Sequence, residues 1–301
     1  MRGRPAASLS RLARTEERVA WLFLIPSFVL FAVFTALPVV SAFFISFTHW
    51  DLFNPPRLAW LDNYVTLWND PIFRQVLGNT GYYVLAAVPL QMLLGLLCAL
   101  GLNRNVPGQT FFRVVYFLPV VTSTVAAGLV WAWLFNSNFG LINMGLSLLG
   151  AGDLPKWLVA SRWAMPAVIT VSVWQGLGYA MVLFLAGLQN IRQEVYEAAA
   201  LDGATGFARF WHITLPMLSP MTFFVLIVSI IGSFQVFELV YVMTKAGPAN
   251  ATNTLVYYIY QNGFMFYQMG YASAAAMVLF LIVLGATLLQ YRLQDRWVHY
   301  D

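Results

Sequence analysis

Residues Glu197 to Pro216 read E-A-A-A-L-D-G-A-T-G-F-A-R-F-W-H-I-T-L-P, a polar interval set between two strongly apolar segments. Arg192 to Asp202 (R-Q-E-V-Y-E-A-A-A-L-D) is rich in good helix formers and predicts a short helix. Gly203 stands where a left-handed C-terminal cap is wanted. Phe207 to Leu215 predicts a second helical run that Pro216 ends. Two short helices around glycines, held at a membrane surface, make a compact projection suited to a partner's groove. Ala198 and Ala199 would form its small-residue knob, with Glu197 as a charge beside it.

The apolar flanks continue through the whole chain. Hydrophobic residues make up 60% of the 301 and charged residues 9%, against about 25% charged in soluble proteins. Mean hydropathy is +0.71. A soluble fold would need a polar surface that this composition cannot supply, so the chain reads as an all-α, polytopic integral membrane protein. Its formal charge of +4 is then a matter of topology rather than a nucleic-acid footprint. Cys98 is the only cysteine, which rules out an intrachain disulfide.

Crossing about 30 Å of hydrocarbon takes about 20 apolar helical residues. Six segments qualify, at about 20–46, 79–102, 114–136, 163–189, 218–244 and 270–290. The first follows Arg2, Arg4, Arg11, Arg14 and Arg18 and is expected to stay uncleaved, because its apolar run is too long for a signal peptide and no small-residue cleavage site follows. With the N-terminus inside, the cytoplasmic face holds those five arginines with Arg104, Arg113, Arg192, Arg209, Arg292 and Arg296. The outer face holds only Arg57, Arg74, Lys156, Arg162 and Lys245. The positive-inside rule therefore predicts both termini in the cytoplasm. Residues 1–75 comprise the N-terminus, first span and first outer loop, 76–291 a five-helix core with the loop at about 190–217, and 292–301 a cytoplasmic tail.

The outer loops are expected to lie at 48–78, where Trp50, Trp60, Tyr64 and Trp68 suit an interfacial belt, at 136–162, and at 245–270, where T-L-V-Y-Y-I-Y-Q-N-G-F predicts a surface helix. Gly95 with Ala99, and Gly270 with Ala274, are small pairs four apart that allow close helix packing. Pro89, Pro119 and Pro166 should kink their spans or mark breaks.

Reactive chemistry is missing from the sequence. Lys156 and Lys245 are the only lysines and neither sits in G-x-x-x-x-G-K-[S/T], so the chain has no Walker A loop. His49, His212 and His299 lie far apart without a zinc-binding spacing, and no nucleophile elbow occurs. A membrane-embedded enzyme cannot be assembled from these residues. A proton-coupled carrier would place several ionisable residues in its spans. Here Glu238 is the only acidic one, and at 100° per residue it falls about 180° from Ser229, away from the polar face.

What remains inside the spans is neutral: Thr122, Ser123 and Thr124 in the third, Gln175 and Tyr179 in the fourth, Ser229, Ser233 and Gln235 in the fifth. Gln175 and Tyr179 share a helix face, as do Ser229 and Ser233 with Gly232 beside them. Hydroxyls and amides next to aromatic rings are what a sugar asks for.

The loop also carries a resemblance. Glu197-Ala198-Ala199, then Gly203, then Ile213-x-Leu215-Pro216 is similar to the signature loop of the membrane subunits of ABC importers. That resemblance implies the type I importer permease fold in a bacterial cytoplasmic membrane, with the loop as a coupling helix seated in an ATPase subunit. The coupling residues would be Glu197, Ala198, Ala199, Asp202, Gly203, Ile213, Leu215 and Pro216. Leu134 to Asn143, Trp174 to Tyr179, Thr244 to Pro248 and the terminal R-W-V-H-Y extend the likeness to the sugar-specific, maltose-type subunits. It implies sugar contacts from Thr124, Gln175, Gly176, Tyr179, Ser229, Gly232 and Ser233. It further implies a heterodimer with a second permease subunit, two ATP-binding cassette subunits that hold the ATP and magnesium, an extracytoplasmic sugar-binding protein, and no cofactor in this chain. Residue types differ from the maltose pattern at several sites, Lys245-Ala246 replaces the usual glycine pair, and two further N-terminal spans with a large outer domain are missing. The carried solute is therefore expected to be a sugar, with glycerol phosphate as the alternative within the family.

Overall fold

The computed structural model describes residues 11–104 and 107–298, with side chains from Glu16 onward. The arginines at 2 and 4, the side chains of Arg11 and Arg14, and the last two residues of R-W-V-H-Y lie outside that range. Helix α1 (Arg11–Phe31) runs through a π-helical turn at Ala32–Ala36 into α2 (Leu37–Ile45). A small antiparallel ribbon follows, β1 (Thr48–His49) with β2 (Arg57–Leu58). Its turn is held by Asp51, whose carboxylate accepts the backbone N–H groups of Phe53 and Asn54. The Asn54 N–H in particular holds that carboxyl below its ordinary range.

After α3 (Asp62–Asn69), helix α4 runs from Pro71 to Leu102. It begins well before the expected residue 79 because Asp70 caps it, accepting from Ile72 N at 2.8 Å, with proline at the first helical position. Helices α5 (Gln109–Val121) and α6 (Thr124–Leu134) meet at 98°, so the third apolar segment is broken in two. Pro119 sits two residues before that break, and Thr122 bonds its freed carbonyl at 2.6 Å. Pro89 and Pro166, by contrast, are accommodated inside α4 and inside α8 (Ser161–Gln189), which follows the short α7 (Leu141–Leu148).

The polar interval gives α9 (Gln193–Leu201), α10 (Gly206–Arg209), a π-helical turn at Phe210–Thr214 and α11 (Leu215–Met217). The apolar chain resumes as α12 (Ser219–Phe234), bent 63° from the helices before it. Three short pieces follow: α13 (Glu238–Met243), α14 (Leu255–Tyr260) and a π-helical turn at Gln261–Met265, before α15 (Met269–Leu293). The fifth segment thus ends its long helix at Phe234, not at residue 244. The helix at 255–260 is no surface helix either, since Leu255, Tyr257 and Tyr258 are buried.

Among the described residues four helices are long and apolar enough to cross a membrane, and six result if each bent pair is one crossing. The core is built on α4 and α8. They run parallel, since Tyr83 meets Ser172, Gln91 meets Gly176, and a Cβ at Gly95 would lie 2.7 Å from that of Ala180. One packed cluster joins Ala87, Val88, Val168 and Val171 to Leu239 and Val240 of α13. Another joins Ala99, Met181, Phe184 and Leu188 to Leu218 and Val225.

The end that carries the ribbon is latched by Asp70, whose carboxylate accepts from the hydroxyls of Tyr258 and Tyr271. Burial, with that carboxylate beside it, pushes the Tyr258 hydroxyl's pKa upward. Met269 N donates to Trp50 O at 2.9 Å, tying α15 to the ribbon.

Candidate functional site

Helices α4, α5, α6, α8 and α12 and the stretch from Gln235 to Leu239 line one open cavity of about 520 Å³, within the range of small-molecule sites. Thr124, Gln175, Gly176, Tyr179, Ser229, Gly232 and Ser233 all line it. Each arrives there by a local feature of the fold. The break at Thr122–Ser123 turns α6 so that the Thr124 hydroxyl accepts from Gln175 Nε2 at 3.0 Å. Gln175 and Tyr179 are one helical turn apart on α8, and Ser229 and Ser233 one turn apart on α12. A Cβ on Gly232 would meet nothing within 4 Å, so this glycine keeps open space in the wall. Thr122 and Ser123 turn instead to the backbone of the break, Ser123 accepting from Ala126 N.

Glu238 overturns an expectation. Angular counting along a continuous helix puts it on the far side, but it lines the same cavity. Helix α12 stops at Phe234, Gln235 leaves the helical region at φ −94°, ψ 10°, and Phe237 lies at φ −136°, ψ −57°. Counting 100° per residue has no meaning across such a break.

Three polar lining residues are not evident from the sequence as site residues: Tyr83, Gln91 and Ser172. Tyr83 donates to Ser172 Oγ at 2.5 Å, and Gln91 Nε2 donates to the Gly176 carbonyl at 3.2 Å. A glutamine inside the second apolar run was the available signal for Gln91. Tyr83 and Ser172 gave none beyond ordinary span residues. The wall also carries an aromatic edge, with Phe237 5.1 Å from the ring of Tyr260.

At the opposite end of α8 the polar interval forms a second candidate region. Gly203 adopts φ 79°, and the N–H groups of Gly203 and Ala204 bond the carbonyls of Ala200 and Ala199 at 3.1 and 2.9 Å. That is a Schellman cap, which needs a left-handed residue. Tyr196 OH lies 3.0 Å from Thr214 Oγ1, tying the first helix to the second.

One expectation changes here. Ala199 faces inward at 8% exposed, so the outward face is formed by Ala198 with the apolar side chains of Leu201 and Phe207. Pro216 lies in the last turn of a helical run that continues from Gly206 through the π-helical turn to Met217, two residues beyond the expected Leu215. The chain bends just after, at Leu218, and Ile213, Leu215 and Pro216 are half-buried at the foot of the projection. Glu197 is exposed and accepts a bond from Gln193 at 2.8 Å, while Asp202 and Gly203 are exposed. Among the described residues no cluster of three or more His, Cys, Asp or Glu could hold a metal ion; His49 pairs with Asp62 and His212 with the Ala208 carbonyl.

Known proteins share this architecture. The chain is 37% identical to the "probable ABC transporter permease protein YesP" of Bacillus subtilis (strain 168), over 99% of this chain and 97% of the relative. It is 36% identical to the lactose transport system permease protein LacF of Rhizobium radiobacter, over 94% and 96%. It is 34% identical to the sn-glycerol-3-phosphate transport system permease protein UgpA of Brucella abortus, over 97% and 100%. The fold matches a chain of a bacterial alginate ABC transporter solved with an alginate pentasaccharide-bound periplasmic protein, with a TM-score of 0.83 and 22% identity over 95% of this chain and 98% of that one. Residues 91–299 match the family of binding-protein-dependent transport system inner membrane components, and the chain, with its apolar helices and its paired short helices at one end, belongs to that family.

Proposed function

We propose that the chain is the permease subunit of an ATP-driven sugar importer and that the cavity bounded by α4, α5, α6, α8 and α12 is its solute site. The observation that carries this reading is the meeting of Thr124, Gln175, Gly176, Tyr179, Ser229, Gly232 and Ser233 around one space. The hydroxyls of Tyr179, Ser229 and Ser233 face it without a hydrogen bond inside the described chain, leaving donors and acceptors for a polyol.

Six spans with both termini in the cytoplasm fit the arginine distribution, and they put the helix pair from Glu197 to Pro216 on the inner face. There Glu197, Ala198, Asp202 and Gly203 would meet an ATPase subunit, with Ala199, Ile213, Leu215 and Pro216 fixing the shape of the projection. ATP-driven closure of two such subunits would move the loop as a rigid body and open the cavity outward to an extracytoplasmic binding protein. Hydrolysis would return it inward. A second, similar permease subunit would complete the pathway.

Two of the relatives are named for lactose and for sn-glycerol-3-phosphate. A phosphate calls for cationic partners, and no Lys, Arg or His lines this cavity, which favours a sugar. The test is uptake by the full complex in proteoliposomes, supplied with its binding protein and labelled sugars. Transport should require ATP inside and be lost in Tyr179→Ala; uptake that proceeds without nucleotide would defeat the reading.

A further inference from the structure

We propose that Glu238 gives the cavity a fixed negative field that turns away anionic solutes, so that the sugar carried is neutral or bears an ammonium group. The inference rests on the cavity being the solute path. Among the residues lining that space Glu238 is the only one with a formal charge. Its side chain is exposed and has no ion pair or hydrogen bond among the described residues. The break from Gln235 to Phe237 is what presents it, since a continuous α12 would carry it past the wall. An unpaired carboxylate beside low-dielectric walls is costly to keep, and in a membrane protein such a group ordinarily marks the solute or ion pathway.

The chemistry fits selection better than proton transfer. Along the chain Glu238 is flanked by Gln235, Val236, Phe237 and Leu239, and the other titratable groups that line the cavity are the phenols of Tyr83 and Tyr179, with no second carboxylate and no histidine to receive a proton. A lone carboxylate instead acts through its field, which is focused inside a cleft bounded by apolar groups. A phosphorylated or carboxylated sugar would meet like charge with no compensating cation. A neutral sugar would meet one more hydrogen-bond acceptor, and an amino sugar a partner.

The field can be read without knowing the transported sugar. In the assembled transporter with Cys98→Ala, Gly232→Cys places a thiol in open space within the wall. Its rates of modification by small cationic and anionic methanethiosulfonates are compared, with the Gly232 protein giving the background from other cysteines. The cation should react faster, and Glu238→Gln should lower the cation-to-anion ratio about tenfold, while Glu238→Asp should keep it. An unchanged ratio in Glu238→Gln overturns the proposal, because a partner subunit then neutralises the carboxylate. Protection of the thiol by glucose, glucosamine and glucose 6-phosphate adds the solute arm. Glucose 6-phosphate should protect poorly unless Glu238 is replaced, and equal protection by all three in the unaltered cavity also overturns it. Failure of every sugar to protect, with the ratio still responding, supports the field and leaves the sugar reading to the uptake assay above.

Discussion

The side-chain amide of Gln175 lies 3.0 Å from the hydroxyl of Thr124, across 51 positions of sequence. The bond closes the corner between α6 and α8 at the point where the third apolar segment turns through 98°. It therefore holds the cavity wall and the broken helix together. Thr124→Val keeps the shape and removes the acceptor, and the expected loss is about 0.5–1.5 kcal/mol. Thermal unfolding of the detergent-solubilised complex should register it together with reduced uptake. Thr124→Ser, which restores the hydroxyl, should recover both; equal losses in the two variants would show that the bond is idle.

Gly232 separates the volume of the cavity from its stability. A Cβ there touches nothing within 4 Å, so Gly232→Val should insert, assemble and unfold much as the unaltered chain does. Its added carbons occupy space that a solute needs, and one extra group in a fitted pocket is worth about 10- to 200-fold in discrimination. Uptake should fall by about tenfold or more with the assembly intact. Uptake at the unaltered rate would place the solute elsewhere.

Gly203 tests the loop by backbone conformation alone. Its φ of 79° is the left-handed cap geometry, and no atom lies within 4 Å of an added Cβ. Gly203→Val therefore costs about 1–2 kcal/mol through conformation, concentrated on the turn between α9 and α10. Sugar-stimulated ATP hydrolysis should drop sharply while membrane insertion persists. Gly203→Asn, which tolerates the left-handed region better, should keep most of the stimulation. If valine and asparagine behave alike and both stay coupled, the turn does not transmit the motion.

Much of this arrangement is readable in the chain, and the limits have physical causes. The Gly203 cap follows from local rules, because a glycine after a run of helix formers has few other uses. The polar faces of α8 and α12 follow from spacing, since Gln175 with Tyr179 and Ser229 with Ser233 sit four apart on intact helices. Glu238 does not follow, because angular counting holds only within one helix and the chain leaves helical geometry at Gln235. Pro216 marks the end of the second run to within two residues, since the helix from Gly206 stops at Met217 and the chain bends there. The start of α4 at Pro71 is hidden from a hydropathy reading, because residues 71–78 are mixed and the cap at Asp70 is what fixes the boundary. Tyr83 enters the site by the parallel packing of α4 on α8, a tertiary fact with no local trace, while Gln91 leaves only the trace of an amide inside an apolar run.

Two glycines on α8 should give opposite phenotypes. A Cβ at Gly178 would lie 2.2 Å from the carbonyl oxygen of Tyr116 and 2.9 Å from the Cα of Phe117, both backbone atoms of α5. These cannot rotate away, so Gly178→Ala must push α5 off α8, at about 1–3 kcal/mol for an overpacked core. A Cβ at Gly176 would instead meet the end of the Gln91 side chain at 2.6 Å. That amide can swing into the cavity, giving up its 3.2 Å bond to the Gly176 carbonyl. Gly176→Ala should leave the unfolding temperature nearly unchanged and alter uptake, because Gln91 then occupies solute space. Gly178→Ala should lower the unfolding temperature and the yield of assembled complex. Thermal unfolding and uptake measured on both variants decide the matter, and matching profiles for the two glycines would refute the close approach of α5 to α8 described here.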